Sequence, residues 1–254
     1  MKTALIRQPA GLGDIFWLQP LVDDMHKRGF HVIYPVCDHY YDMMKTNVKT
    51  KNSNFIRESE LEGRLLEVYN GTKHIIEDDF EYYAFDCISH PKYDSFRPEY
   101  ALHNLMIGKY QLYKEFNPDF DIELADWRKS TIIIRDLDRE SEYEKVVGLC
   151  DDEFIWANRA FGTPPEIVIR EMDLPDDCRI IENDSRLVNV FDCCGVLQKS
   201  KAIHTVETCF CYIVELLDVK AELNLYSRKI NGQNQHSDFS YTNMVYKKDW
   251  IHHV

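Results

Sequence analysis

The chain has 254 residues with a formal charge of −13; 44% of its residues are hydrophobic and 29% charged. That is enough for two α/β lobes of ~120 residues or one larger domain, in the proportions of a globular protein. The acidity argues against a general nucleic-acid binder, which must neutralise phosphates, but leaves room for a local positive pocket that takes one nucleotide.

No apolar run approaches the ~20 residues that cross a bilayer. The start, Met1-Lys2-Thr3-Ala4, has no signal-peptide core, so a cytoplasmic protein without a transmembrane segment is expected. The eight cysteines, at 37, 87, 150, 178, 193, 194, 209 and 211, form no paired C-x-x-C pattern. In a reducing compartment they read as small buried hydrophobes.

Thr3 to Ile6 is a β-prone run, followed by Gly11-Leu12-Gly13-Asp14 and then by Leu18, Leu21, Val22 and Met25 at helical spacing. The pattern predicts a strand, a glycine turn in which Gly11 or Gly13 can take positive φ, and a helix with Pro20 in its first turn. Asp14 then lies where a first strand meets a helix N-terminus, the edge at which open α/β sheets hold ligands. The same residue also fits a plain helix cap.

Phe30 to Val36 predicts a second strand, which completes a right-handed βαβ unit. His39 to Met44 suggests a short helix, Lys45 to Asn54 a loop, and Phe55 to Ile76 a strand, an amphipathic piece and another strand. Tyr82 to Ile88 reads as a buried strand, with His90 just past its end, on the edge where the Asp14 turn also sits if the strands are parallel. Pro98 to Glu115 is helical by pattern and is stopped by Asn117-Pro118; an interlobe linker is expected over Asp119 to Arg128.

Arg135 to Leu149 predicts a charged helix, and Glu153 to Ala157 a strand that runs into the turn-rich loop Asn158 to Pro165. In that loop Arg159 has the planar donor fork suited to phosphate oxygens, or it pairs with a surface acid. Cys178 to Ile181, Lys201 to Val206 and Ala221 to Tyr226 read as strands, and Leu187 to Gln198 and Glu207 to Leu217 as helices. Backbone N–H groups at the start of the Glu207 to Leu217 helix can bind phosphate, although a simple capping arrangement has the same residues. The tail, Ser237 to Val254, carries enough aromatic residues that it should pack on something.

Gly11 to Pro20, with its Gly-Leu-Gly-Asp turn and a proline six residues after the acid, resembles the opening of the heptosyltransferase-like, family 9-like glycosyltransferases of GT-B type. Glu207-Thr208 followed by a hydrophobic helix resembles a second motif of that family, with Cys209 in place of a glycine and Tyr212 in place of a histidine. The resemblance implies two Rossmann-like lobes with parallel sheets. An acceptor-side lobe would span 1–125 and a nucleotide-sugar lobe 126–236, with 237–254 packing back on the first. It implies transfer of a sugar from a nucleotide-diphosphate donor to a carbohydrate or glycolipid hydroxyl with inversion, and Asp14 as general base. On the donor side it implies Asn158, Arg159, Thr163, His204, Glu207, Thr208 and Cys209; on the acceptor side, Gly11, Gly13 and His90.

No cofactor or metal is expected. Asp119-Phe120-Asp121 and Asp136-Leu137-Asp138 match an Asp-x-Asp metal turn by letters only. A nucleotide-binding oxidoreductase is the alternative, with Asp38 near the end of the second strand, but the third glycine of its fingerprint is missing. A catalytically silent sugar- or nucleotide-binding module of the same fold is a further one.

Overall fold

The computed structural model describes residues 1–71, 73–87, 105–163, 166–183, 189–230, 233–235 and 245–253. The chain divides into two compact units, Met1–Ile132 and Ile133–Val254. Each is an α/β unit built on a parallel sheet, as expected. The division falls at 132/133 instead of 125/126 because the intervening residues are tied to the first unit. Trp127 is buried and stacks on Phe16 with ring centroids 6.2 Å apart. The Ser130 hydroxyl donates to Asp23 at 2.6 Å, and its carbonyl accepts from the Lys51 amide at 3.3 Å.

The first unit contains β1 (Lys2–Arg7), β2 (Phe30–Val36), β3 (Val48–Thr50), β4 (Asn54–Arg57), β5 (Ile75–Ile76) and β6 (Phe80–Ala84). Its five-stranded sheet has the order β4-β2-β1-β6-β5, parallel throughout except for β5. Ala4, Leu5 and Ile6 of β1 have no exposure at all, as befits a central parallel strand covered on both faces. The strand expected over 82–88 sits earlier, at 80–84, and continues into a turn of 3-10 helix at Phe85–Cys87; Ile88 and His90 lie outside the described residues.

The predicted first helix is two helices, α1 (Leu12–Trp17) and α2 (Gln19–Lys27), jointed at Leu18. Pro20 lies in the first turn of α2, where its missing N–H breaks no bond. Leu18, Leu21, Val22 and Met25 are all fully buried, so the helical stripe read from the sequence is the packed face. The loop expected over 45–54 is largely ordered: Lys45 to Asn47 finish α3 (Asp38–Asn47), and β3 follows at once. The unit also contains the helices α4 (Gly63–Asn70) and α5 (Leu105–Phe116). Residues 98–104 of the predicted helix lie outside the described residues.

After β7 (Thr131–Ile133) and α6 (Leu137–Val146), the second sheet comprises β8 (Phe154–Asn158), β11 (Arg179–Glu182), β12 (Ala202–Val206), β13 (Glu222–Tyr226) and β16 (Trp250–His253). Its order is β11-β8-β12-β13-β16, and every pairing is parallel. The loop expected over 158–165 is instead the first arm of a hairpin, β9 (Ala160–Thr163) with β10 (Glu166–Ile169), antiparallel. Gly162 takes φ 109° there, a backbone state that side chains disfavour. The short α7 (Cys194–Lys199) and α8 (Cys209–Leu216) flank β12 in sequence. A second small ribbon pairs β14 (Arg228–Ile230) with β15 (Gln233–Gln235).

Of the tail, residues 245–253 are described and 237–244 lie outside the described residues. Its described part belongs to the second unit, where Trp250–His253 forms the edge strand beside β13. One side chain explains why. The buried Glu215 carboxylate of α8 accepts the Lys247 and Lys248 amides, each at 3.0 Å, and the Trp250 indole N–H at 2.8 Å.

A carboxylate that satisfies three donors in a covered site contributes far more than a surface contact. Glu215→Ala should therefore lower unfolding stability by roughly 2–4 kcal/mol. In hydrogen exchange the amides of 247–253 should lose protection before those of β12. Unchanged protection of the tail would show that β-pairing alone holds it.

Candidate functional site

Each sheet has a point where its connections reverse direction, and each reversal collects polar residues at the carboxyl ends of the strands. In the first sheet the chain runs from β1 outward to β2 and β4, then returns to β6 on the other side of β1. Loops at such a reversal diverge and leave a crevice. The segment Gln8 to Asp14 leaves β1 at this place.

Gly11 precedes α1 with φ 82°, and a Cβ there would overlap the Asp14 Oδ2. Only glycine suits both demands. Gly13, by contrast, is an ordinary helical residue within α1, so the turn needs one glycine and not two. Asp14 is not the cap, which is Gly11; it is the third residue of the helix, where the macrodipole favours a carboxylate. Its side chain is 25% exposed, whereas its partner, the Lys109 ammonium, is 2% exposed.

Lys109 was not singled out in the sequence, although a signal was present. It occupies the apolar stripe of α5, in register with Leu105, Leu112 and Phe116, where a hydrophobe belongs. Its Nζ donates to Asp14 Oδ1 and, at 2.7 Å, to Gln8 Oε1, while Gln8 Nε2 donates to the Ala10 carbonyl at 2.7 Å. Nearby, Arg7 pairs with Asp86 at 3.1 Å and donates to the Gly71 carbonyl at 2.9 Å. The fully buried Tyr34 hydroxyl is held protonated chiefly by burial, with the Asp14 and Asp86 charges adding to the effect.

In the second sheet the reversal lies between β8 and β12. Asn158, the last residue of β8, is 1% exposed. Its amide donates to the Thr205 and Thr208 hydroxyls, each at 3.3 Å, and its carbonyl oxygen accepts from Asn183 at 2.9 Å. Thr208 precedes α8 in extended conformation and makes no side-chain cap, and Cys209 opens the helix. The Glu207 carboxylate accepts from the Tyr246 hydroxyl at 3.4 Å, and its carbonyl from Arg228 Nε at 2.6 Å. Asn158, Glu207, Thr208 and Cys209 are thus brought together.

Arg159 lies with Nε 3.0 Å from a Glu182 carboxylate oxygen, the surface pairing that its sequence context also allowed. With Arg170 it acts on Tyr226, opposing the burial and the Asp173 charge that raise that phenol. Arg170 and Arg228 are the second unit's overlooked cations. Arg228 could have been read from its place just after a strand; Arg170 follows a hairpin that the sequence did not reveal. His204 is 7% exposed, with Nδ1 3.0 Å from the Tyr226 hydroxyl, so it is a partnered core histidine on β12. For Thr163 only the backbone is described, as the end of β9.

The alternative nucleotide-binding acid, Asp38, has both carboxylate oxygens engaged by Ser59, through the amide at 3.3 Å and the hydroxyl at 2.6 Å. Those bonds hold it below the usual carboxylate range. The two Asp-x-Asp sequences serve local turns: Asp121 accepts the Glu123 and Leu124 amides, and Asp136 caps α6 through the Arg139 amide at 3.1 Å. Among the described residues no group of three or more His, Cys, Asp or Glu is disposed to hold a metal ion.

Seven cysteines are described as free. Cys193, Cys194 and Cys211 are buried as expected, but Cys150 is exposed. The Cys37 thiol is pushed up to about 11 by burial and then by Glu58. Among the described residues no helix is long and apolar enough to cross a membrane.

No protein-family model and no curated protein matches the chain. A comparison of folds finds similarity to several solved glycosyltransferases. A family 9 glycosyl transferase from Veillonella parvula superposes with TM-score 0.49 at 10% identity, covering 88% of this chain and 80% of that one. The E. coli heptosyltransferase WaaC with ADP gives 0.43 at 10% identity over 91% of this chain and 88% of that one. The same enzyme with ADP-2-deoxy-2-fluoro heptose gives 0.43 at 8% identity over 93% and 91%.

The histidines in the second sheet make a solution test. Tyr226 stacks on His253 at 4.3 Å between centroids, with His204 on its hydroxyl. Burial first, and then the His253 charge, lowers the affinity of His204 and of His252 for a proton. The unfolded chain therefore binds protons more readily, so the contribution of these groups to stability is complete above about pH 6.5 and falls as the pH drops below it. The urea midpoint should decrease from pH 7.5 to pH 5.5, and less steeply in His204→Gln. An equal slope in the variant would remove His204 from the account.

Proposed function

We propose that the chain is a glycosyltransferase that moves a sugar from a nucleoside-diphosphate donor to a hydroxyl of a carbohydrate or glycolipid acceptor, with inversion. The observation that carries this reading is Asp14: a partly open carboxylate at a strand-to-helix joint, fixed by a buried ammonium at the reversal point of a parallel sheet. In the step proposed, Asp14 takes the acceptor's hydroxyl proton while that oxygen bonds to the anomeric carbon. The bond from that carbon to the donor's phosphate oxygen breaks, and its electron pair leaves with the diphosphate.

The second unit supports the donor side of the reading. The first turn of α8 has no side-chain cap, so its N–H dipoles suit phosphate oxygens. Asn158 fixes the Thr208 hydroxyl beside that turn. Glu207 is the carboxylate suited to sugar hydroxyls. Arg159 and Arg170 supply the positive charge that developing negative charge on a leaving diphosphate calls for. In this reading positioned donors fill the role that a divalent ion plays elsewhere, and no cofactor is required.

A thermal-shift series should show stabilisation by nucleoside diphosphates and little by NAD or FAD. In a donor and acceptor panel, Asp14→Asn should lower transfer by about 10²–10⁴-fold while diphosphate binding stays as in the wild type. Unchanged transfer in Asp14→Asn would remove the base, and a preference for NAD would point to an oxidoreductase. Diphosphate binding without transfer from any donor would leave a silent binding module.

A further inference from the structure

Resting on the transferase reading, we propose that Lys109 is a positioning residue for Asp14: its buried ammonium immobilises one carboxylate oxygen and leaves the other to take the proton.

An ammonium 2% exposed has almost no water to solvate it, so its donors must be met by protein. Both described acceptors lie in one short segment, Gln8 and Asp14, and Gln8 is in turn fastened to Ala10. Lys109 thus closes a ring around the turn that presents Asp14. If the role of Lys109 were only to hold that turn, an apolar side chain would serve as well, because a buried ion pair is a weak source of stability. What an ion pair adds is a fixed orientation for a carboxylate that is itself one-quarter exposed. The remaining oxygen, Oδ2, lies against Gly11, the position where a Cβ would overlap it.

The ammonium is itself well placed because it stands on a helix docked at several points. Trp17 and Tyr110 stack at 4.3 Å between centroids. The Trp17 indole donates to the Met106 carbonyl and the Tyr110 hydroxyl to the Trp17 carbonyl, both at 2.6 Å. The Tyr113 hydroxyl donates to Asp24 at 2.8 Å. A group carried on a rigid element holds its partner more closely than one carried on a loop.

The test compares wild type with Lys109→Met and with Lys109→Gln, a milder variant that keeps a polar group at the site and should fold if the first does not. Transfer kinetics are measured alongside carbodiimide–amine labelling of carboxylates, read by mass spectrometry, with Asp86 as internal reference. Misplacing a reacting group by about 1 Å costs on the order of 10²-fold, so kcat should fall by that order in Lys109→Met and less in Lys109→Gln, with the donor KM little changed. Labelling of Asp14 should rise severalfold while that of Asp86 stays constant. An unchanged kcat in either folded variant, or Asp14 and Asp86 labelling that rise together, would overturn the proposal. If the wild type transfers no sugar from any donor, the transferase reading fails by itself; the labelling then still decides whether Lys109 fixes Asp14, and unchanged Asp14 labelling rejects it.

Discussion

A lysine ammonium shut away from water is the constraint around which the first unit is arranged. Lys109 can be charged in the interior only if acceptors come to it, and they come from a segment far away in sequence, at Gln8 and Asp14. The demand links the end of β1, the glycine turn, α1 and α5 into one body. The aromatic contacts of Trp17 with Tyr110, and the phenol of Tyr113 on Asp24, lock α5 against α1 and α2, so the charge cannot drift from its partner. Gly11 completes the arrangement, because a side chain at φ 82° would be strained and would overlap the carboxylate.

The second unit solves a related problem with neutral groups. Asn158 ends β8 almost wholly buried and spends its amide on two threonines and an asparagine, which ties the carboxyl ends of β8, β11 and β12 to the start of α8. Both units thus gather their polar side chains where strand connections reverse. That is a property of parallel sheets: loops leaving adjacent strands in opposite directions cannot fill the space between them. Glu215 works on the same principle at the other end of α8, where one buried carboxylate recruits three donors and so decides where the tail lies.

The overall charge of −13 is a poor guide to either site. Arg159 and Arg170 act on Tyr226, and Arg228 braces the Glu207 carbonyl, so three cations stand at the carboxyl end of the second sheet beside the acids Asp173, Glu182 and Glu207. Arg159 is held by Glu182, a carboxylate that is itself 58% exposed, and an exposed pair of this kind is weak enough to be exchanged for a better anion.

Much of this fold was legible in the sequence where one local pattern had one meaning. The buried strand at Phe30–Val36, the apolar stripe from Leu18 to Met25 and the strand-to-helix joint before α8 follow from periodicity and turn chemistry, which act over a few residues. The hairpin β9–β10 was not legible, because its strands are short and a glycine-containing run there reads equally as a loop. The placement of Trp250–His253 was not legible either, since aromatic residues announce that a segment must be covered but not by what. Asp14 was visible as an acid beside a glycine turn. Lys109, by contrast, was visible only as a misfit in an apolar stripe, because pairing across 95 positions is a product of packing. The sequence by itself thus determined those strands and helices whose local pattern had one meaning, and the edge of the first sheet that carries Asp14. Tertiary structure alone decided which charges meet, because the cost of burying a charge is set by neighbours brought from elsewhere in the chain.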